Sequence, residues 1–236
     1  MKEFLTYVVT GITLGASFAL IGSGFVVVHR VTRIVNFTQG SFAIIAAMMA
    51  SSLLRGRLPH GLAEAAAVLV CGVVGAVVGW VALGRRGTHP LISLIVTLGL
   101  SMLVSAAIIL LWGQDPVSPP GLRGHVTPLG VDVERQRLLV LLVTLLAFAA
   151  VALFFSRTYL GKALTASASN PYAARLVGID VRRMGLLAFA LAGVLGGLAG
   201  VLVAPSNALS FSSDLALALS GFAAAFFGGL SSSGRS

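Results

Sequence analysis

Apolar runs of membrane-crossing length, separated by short polar breaks, constrain this chain more than anything else in its sequence. A bilayer span needs about 20 predominantly apolar residues. Spans are predicted over 4–28, 34–54, 62–83, 91–111, 138–155, 185–204 and 215–230, about seven in all, the last of them short. Within lipid every backbone N–H and C=O must be paired inside the protein, so such runs fold as helices. The expected fold class is all-α: a single polytopic helical membrane domain over 1–236. Charged residues make up 10% of the chain, where soluble domains carry about 25%. The N-terminal run is longer than a signal-peptide core and no convincing cleavage site follows it, so it reads as a retained span.

The net charge of +9 comes from short basic clusters between apolar runs, without the aromatic-basic face that bases require. It is an orientation signal, and no nucleic-acid partner is expected. The longest polar interruption, 156–184, carries Arg157, Lys162, Arg175, Arg182 and Arg183 against Asp180 alone, which marks it as cytoplasmic. Alternation then puts Arg30, Arg33, Arg85, Arg86, Arg157, Lys162, Arg175, Arg182, Arg183 and Arg235 inside, and Lys2, Arg55, Arg57, Arg123, Arg135 and Arg137 outside, ten against six. The N-terminus falls outside and the C-terminus inside, an order that fails if the fourth run re-enters rather than crosses. Loops 55–61 and 112–137 face outward, although Arg55 with Arg57 runs against the bias.

Several chemistries have no residues to carry them. The phosphate-binding Gly-x-x-x-x-Gly-Lys-Ser/Thr pattern is missing, since Gly161-Lys162 runs into Ala163, so ATP hydrolysis is expected on another chain. The chain reads as no enzyme, and no cofactor or metal is expected: Cys71 is the only cysteine and the histidines are scattered. A proton-coupled carrier would show acids or bases in mid-span. The sequence offers none, because Asp214 reads as part of an outer turn with Pro205, Ser206, Asn207 and Ser210.

Other stretches depart from plain apolar helix. In the basic loop, Asn170 and Pro171 suit a helix start and Gly178 a stop. Ala173, Leu176 and Val177 share one face between them, an apolar surface that is unfavourable in water unless something docks on it. Asn36, Thr38, Gln39, Gly40 and Ser41 occupy the first two turns of the second run. They suit either a broken helix lining a solute route or hydrogen bonding between helices. Thr97, Gly99 and Ser101 interrupt the fourth run. Small-residue stripes for close helix packing occur at Gly11, Gly15 and Ala19, and most strongly at Gly193, Gly196, Gly197 and Gly200.

These residues carry a resemblance. Ala173-Ala174 followed by Gly178 resembles the coupling-loop motif of ATP-binding-cassette importer permeases, with Tyr172 where that motif usually begins with an acid. The strings GKALTASASNPYAARLVGIDVRRMGLLAFALAGVLGGLAG and RVTRIVNFTQGSF, and the Thr97-x-Gly99 step, are similar to permeases of branched-chain amino acid importers, with Thr38 where the family usually has Ala. The resemblance implies ATP-binding subunits, a second permease subunit and an extracytoplasmic solute-binding protein as partners, with membrane lipid around the spans. It implies a multi-pass protein of the bacterial inner membrane that translocates branched-chain or related amino acids. Gly161, Ala163, Asn170, Ala173, Ala174 and Gly178 would form the ATPase-coupling loop, and Asn36, Gln39, Thr97 and Ser101 the candidate translocation path. The rival readings are the same machine for urea, amides or sugar, and an autonomous channel or secondary carrier. The family continues beyond the Gly228-Gly229-Leu230 region, so its final helices are expected to be missing here.

Overall fold

The computed structural model describes residues 2–84, 90–122, 124–126 and 133–230. Arg85, Arg86, Arg123 and Arg235, used above for orientation, lie outside the described residues, as do His89, Asp132 and the 231–236 tail. Among the described residues nine α-helices account for most of the chain: α1 Lys2–Thr32, α2 Gln39–Arg55, α3 Leu62–Ala82, α4 Pro90–Trp112, α5 Arg135–Arg157, α6 Tyr159–Ser169, α7 Pro171–Leu176, α8 Val181–Val203 and α9 Ser213–Ala225. A π-helical turn, Phe226–Leu230, continues α9. Five helices, α1, α3, α4, α5 and α8, are long and apolar enough to cross a membrane. The 17-residue α2 and the apolar stretch Ser213–Gly228 are shorter. A small antiparallel hairpin, β1 His125–Val126 with β2 Val133–Glu134, lies in the loop before α5.

α8 is the hub. Its most apolar window is 61% buried, against 11% for α4 and for α5, which sit at the periphery. It packs on α1, α2 and α3, and its glycines make that closeness achievable. A Cβ at Gly193 would run into the Cys71 carbonyl of α3, and one at Gly200 into the Ala43 backbone of α2. α3 answers with Gly75, whose missing side chain admits the Phe189 carbonyl. Without a hydrophobic force to join helices in lipid, such backbone approach and its dispersion contacts hold the bundle together. The glycines of α1 behave differently from expectation. An added Cβ at Gly11 or Gly15 would have nothing within 4 Å, and close approach falls instead to Gly22, where a Cβ would meet the Gly221 carbonyl of α9 at 2.8 Å.

The helix ends fall into two groups. At one end Gly185 lies against Leu83 and Thr32, and a cleft of about 820 Å³ is lined by Arg30, Arg33, Phe155, Thr165 and Gly228. At the other, the Val117 and Leu209 amides exchange hydrogen bonds of 2.9 and 3.0 Å with each other's carbonyls. There the Trp112 indole N–H also donates to Ser52 Oγ at 2.7 Å, Gln136 bridges the Leu122 amide to the Leu202 carbonyl, and Arg137 donates to Thr10. Alternation along the sequence gives the same grouping.

Candidate functional site

Two sets of residues make up the candidate site, one at the α6–α7 end and one in the interior. The Thr158 hydroxyl starts α6 by accepting from the Gly161 amide at 2.9 Å. Gly161 is buried, and a Cβ there would strike the Phe154 carbonyl, so α5 and α6 meet only because it is glycine. Ala163 is half-buried and Leu164 fully buried. Asn170 Oδ1 accepts from the Tyr172 and Ala173 amides, both at 3.0 Å, and Pro171 opens α7. Gly178 ends it at φ +84, a left-handed conformation that glycine adopts without steric cost. The Ile179 amide then donates back to the Ala174 carbonyl at 2.9 Å. Ala174 faces its own bundle, whereas Ala173, Tyr172, Leu176 and Val177 point outward, the last three 71%, 73% and 76% exposed. Asp180 caps α8 through the Arg182 and Arg183 amides, so those two arginines stand on its first turn rather than in the loop.

In the interior, Asn36 and Thr38 precede α2 instead of forming its first turn. The chain leaves α1 with Arg33 at φ +60 and stays non-helical to Asn36. Asn36 Oδ1 accepts from the Thr38 amide at 3.2 Å and the Thr38 hydroxyl at 2.6 Å. That side-chain turn competes with helix for the backbone groups. Thr97 braces the break from α4: its hydroxyl faces the Val35 carbonyl at 3.1 Å and the Leu94 carbonyl at 2.9 Å, and accepts from the Phe37 amide at 3.5 Å. Gln39 Nε2 donates to the Ala192 carbonyl of α8 at 3.0 Å. Asn36, Thr38, Gln39 and Thr97 are fully buried; irregular backbone at membrane depth is tolerated only when enclosed by protein in this way. Replacing Thr97 by valine keeps the shape and leaves the Phe37 N–H unpaired, at a cost of about 1–3 kcal/mol. Thermal inactivation of purified T97V should therefore come measurably earlier than that of the parent.

Asp214 corrects the expectation of an outer turn and of an interior free of acids. Its Oδ2 accepts from the hydroxyls of Ser41 on α2 at 2.8 Å and of Ser101 and Ser105 on α4 at 2.9 and 3.1 Å. Ser101 is the twelfth residue of the 23-residue α4, so the carboxyl lies level with the middle of that helix. The chain after α8 thus dips inward before α9 begins. α2 and α9 start beside each other, and a Cβ at Gly40 would strike the Asp214 carbonyl. Of the sequence-predicted residues, Ser101 joins this centre, Thr97 lies one turn away, and Gly99 faces outward with open space around it. Sequence reasoning misses Ser105 and Asp214. The i, i+4, i+8 spacing of Thr97, Ser101 and Ser105 is the signal that could have found the first of them. Among the described residues no cluster of His, Cys, Asp and Glu could hold a metal ion.

A family model described as "Branched-chain amino acid transport system / permease component" matches residues 7–235. The chain is similar to the high-affinity branched-chain amino acid transport system permease protein LivH of Escherichia coli strain K12, 27% identical over 217 residues, which covers 85% of this chain and 70% of that protein. It is 29% identical over 219 residues to the permease protein BraD of Pseudomonas aeruginosa, covering 85% and 71%. Against the probable branched-chain amino acid transport permease protein LivH of Methanocaldococcus jannaschii the identity is 28% over 222 residues, covering 89% and 70%. No solved structure matches the chain.

Proposed function

This chain belongs to the family of branched-chain amino acid transport permeases, and from that premise we propose that it is the translocating subunit of an ATP-driven importer in the inner membrane, moving branched-chain or related amino acids. The family match over 7–235 carries this reading. The exposed α7 face of Tyr172, Leu176 and Val177 supports it, because an apolar surface at a basic, polar end of the bundle calls for a protein partner. That partner is an ATPase subunit docked on α6 and α7, with Gly161, Ala163 and Asn170 shaping the helices, Gly178 the turn, and Ala173 offering a small side chain to the partner. A second permease chain encloses the route and an extracytoplasmic binding protein delivers the solute. ATP-driven closure of the ATPases moves the permease only if they grip one of its conformations more tightly, since equal contact with both shifts nothing. That the relatives named above are branched-chain amino acid permeases favours amino acids over urea, amides or sugars.

The test is reconstitution: proteoliposomes holding the permease pair and ATPase subunits, supplied with binding protein, should accumulate leucine only when ATP is present on the ATPase side. Accumulation without ATPase subunits would make the chain an autonomous carrier instead. The orientation has its own check. Cys71 is buried, so V177C adds a single reactive thiol. A membrane-impermeant maleimide should modify it from the cytoplasmic side, and addition of the ATPase subunits should slow the reaction more than fivefold, roughly a 1 kcal/mol protection. Modification from the outer side would reverse the assigned topology and remove the docking role.

A further inference from the structure

Three side-chain hydroxyls from α2 and α4 converge on one carboxyl oxygen of Asp214, Oδ2, while the other, Oδ1, is buried without any hydrogen-bond partner. The residue is 8% exposed, and among the described residues it has no ion-pair partner. A buried carboxylate with half its accepting capacity unused is unfavourable unless some state of the protein supplies a donor. Purely structural use would not call for an acid, because a serine or asparagine could tie the three helices at lower desolvation cost. The neighbourhood repeats the pattern. Asn36 Nδ2, a donor, is also buried and unpaired, and it sits at the chain break that Thr97 braces one turn of α4 away from Ser101. Asp214 offers an unmet acceptor level with the middle of α4, and Asn36 an unmet donor one turn nearer its Pro90 end; together they are the complement of a zwitterion. α4 is the element best placed to admit one, since it is only lightly packed on the bundle.

We propose that the Asp214 carboxylate, held by Ser41, Ser101 and Ser105, is the group that recognises the α-ammonium of the translocated amino acid inside the membrane, with Asn36 Nδ2 offered to its carboxylate. This rests on the amino-acid reading given above. The ammonium donates to Oδ1 when α4 parts from α9, and Ser101 and Ser105 act as positioning residues that keep the carboxylate aimed. A solute without an ammonium leaves Oδ1 unpaired in the opened state, so its passage is disfavoured even when the binding protein releases it.

The experiment compares leucine uptake by reconstituted complexes carrying the parent permease, D214N, D214E or S105A, each normalised to the ATPase subunits that co-purify. D214N should lower uptake about tenfold or more, the loss expected when a charged hydrogen bond becomes a neutral one, and D214E should recover part of it. Unchanged uptake in an assembled D214N complex, or D214E no better than D214N, overturns the proposal. Should D214N fail to assemble, S105A decides: a severalfold rise in the half-saturating leucine concentration with the maximal rate kept supports recognition, and an unchanged half-saturation overturns it. A parent complex whose ATPase is stimulated by another solute but which moves no amino acid refutes the amino-acid reading itself, an outcome distinct from parent and D214N complexes transporting equally.

Discussion

G200V should yield no assembled permease. A Cβ at this position would lie 2.5 Å from both the carbonyl carbon and the Cα of Ala43, and nearer still to its oxygen. All three are backbone atoms, so no rotamer change relieves the clash, and valine adds two methyl groups beyond that Cβ. α8 and α2 would have to separate along a seam where Ala43, Ala46 and Ala199 are fully buried. Overpacking a core usually costs about 1–3 kcal/mol when side chains can yield; here they cannot, and the loss should exceed about 3 kcal/mol. The change is read as recovery of monodisperse protein from membranes and as retention of co-purifying ATPase subunits. G99V is the matched control. Gly99 sits on the outward face of α4 with nothing within 4 Å of an added Cβ, and valine is a better helix former than glycine. G99V should be recovered at parental yield. Equal recovery of both variants would mean that α2 and α8 are not apposed as described.

The contrast between those glycines shows what the sequence can and cannot say. The pairs Gly193 and Gly197, Gly196 and Gly200, and Gly11 and Gly15 share the same four-residue spacing, yet only those of α8 are used for close approach within the chain. Spacing reports which small residues share a helix face and is silent about what that face meets. The α7 turn is legible because its determinants are local: an Asn170 cap, Pro171 behind it and a left-handed Gly178 act within one turn of chain. The polar stretch before α2 is legible as an oddity that suits a broken helix, but its place ahead of α2 rather than in its first two turns is not, because the bond from Asn36 to Thr38 that unwinds it is invisible to periodicity. Asp214 is hardest. Its partners Ser101 and Ser41 lie 113 and 173 residues away in sequence, so nothing near it distinguishes a surface acid from an interior one. The all-α class and the apolar helices follow from hydropathy alone, whereas the interior site needs the tertiary fold to assemble it.

G178E should abolish the solute-dependent stimulation of ATPase activity in the assembled importer. At φ +84 glutamate is strained by about 1–2 kcal/mol, enough to favour reopening the turn that ends α7. The Ile179-to-Ala174 and Gly178-to-Arg175 bonds that close this turn would be lost with it. Leu176 and Val177 lie immediately before the turn, so their exposed face would tilt away from the ATPase surface on which we propose that it docks. Glutamate also places a negative charge among Arg175, Arg182 and Arg183, reversing the local field that a partner meets. Nothing lies within 4 Å of an added Cβ, so the defect stays in the turn and spares the packing of the bundle. G178N separates the two causes, because asparagine tolerates the left-handed conformation and adds no charge. It should keep a substantial part of the stimulation that G178E loses. Because coupling needs the ATPase to hold one permease conformation preferentially, a displaced α7 removes the differential grip even where some contact survives. Full stimulation in G178E, with leucine uptake at the parental rate, would show that energy enters the permease somewhere other than this turn.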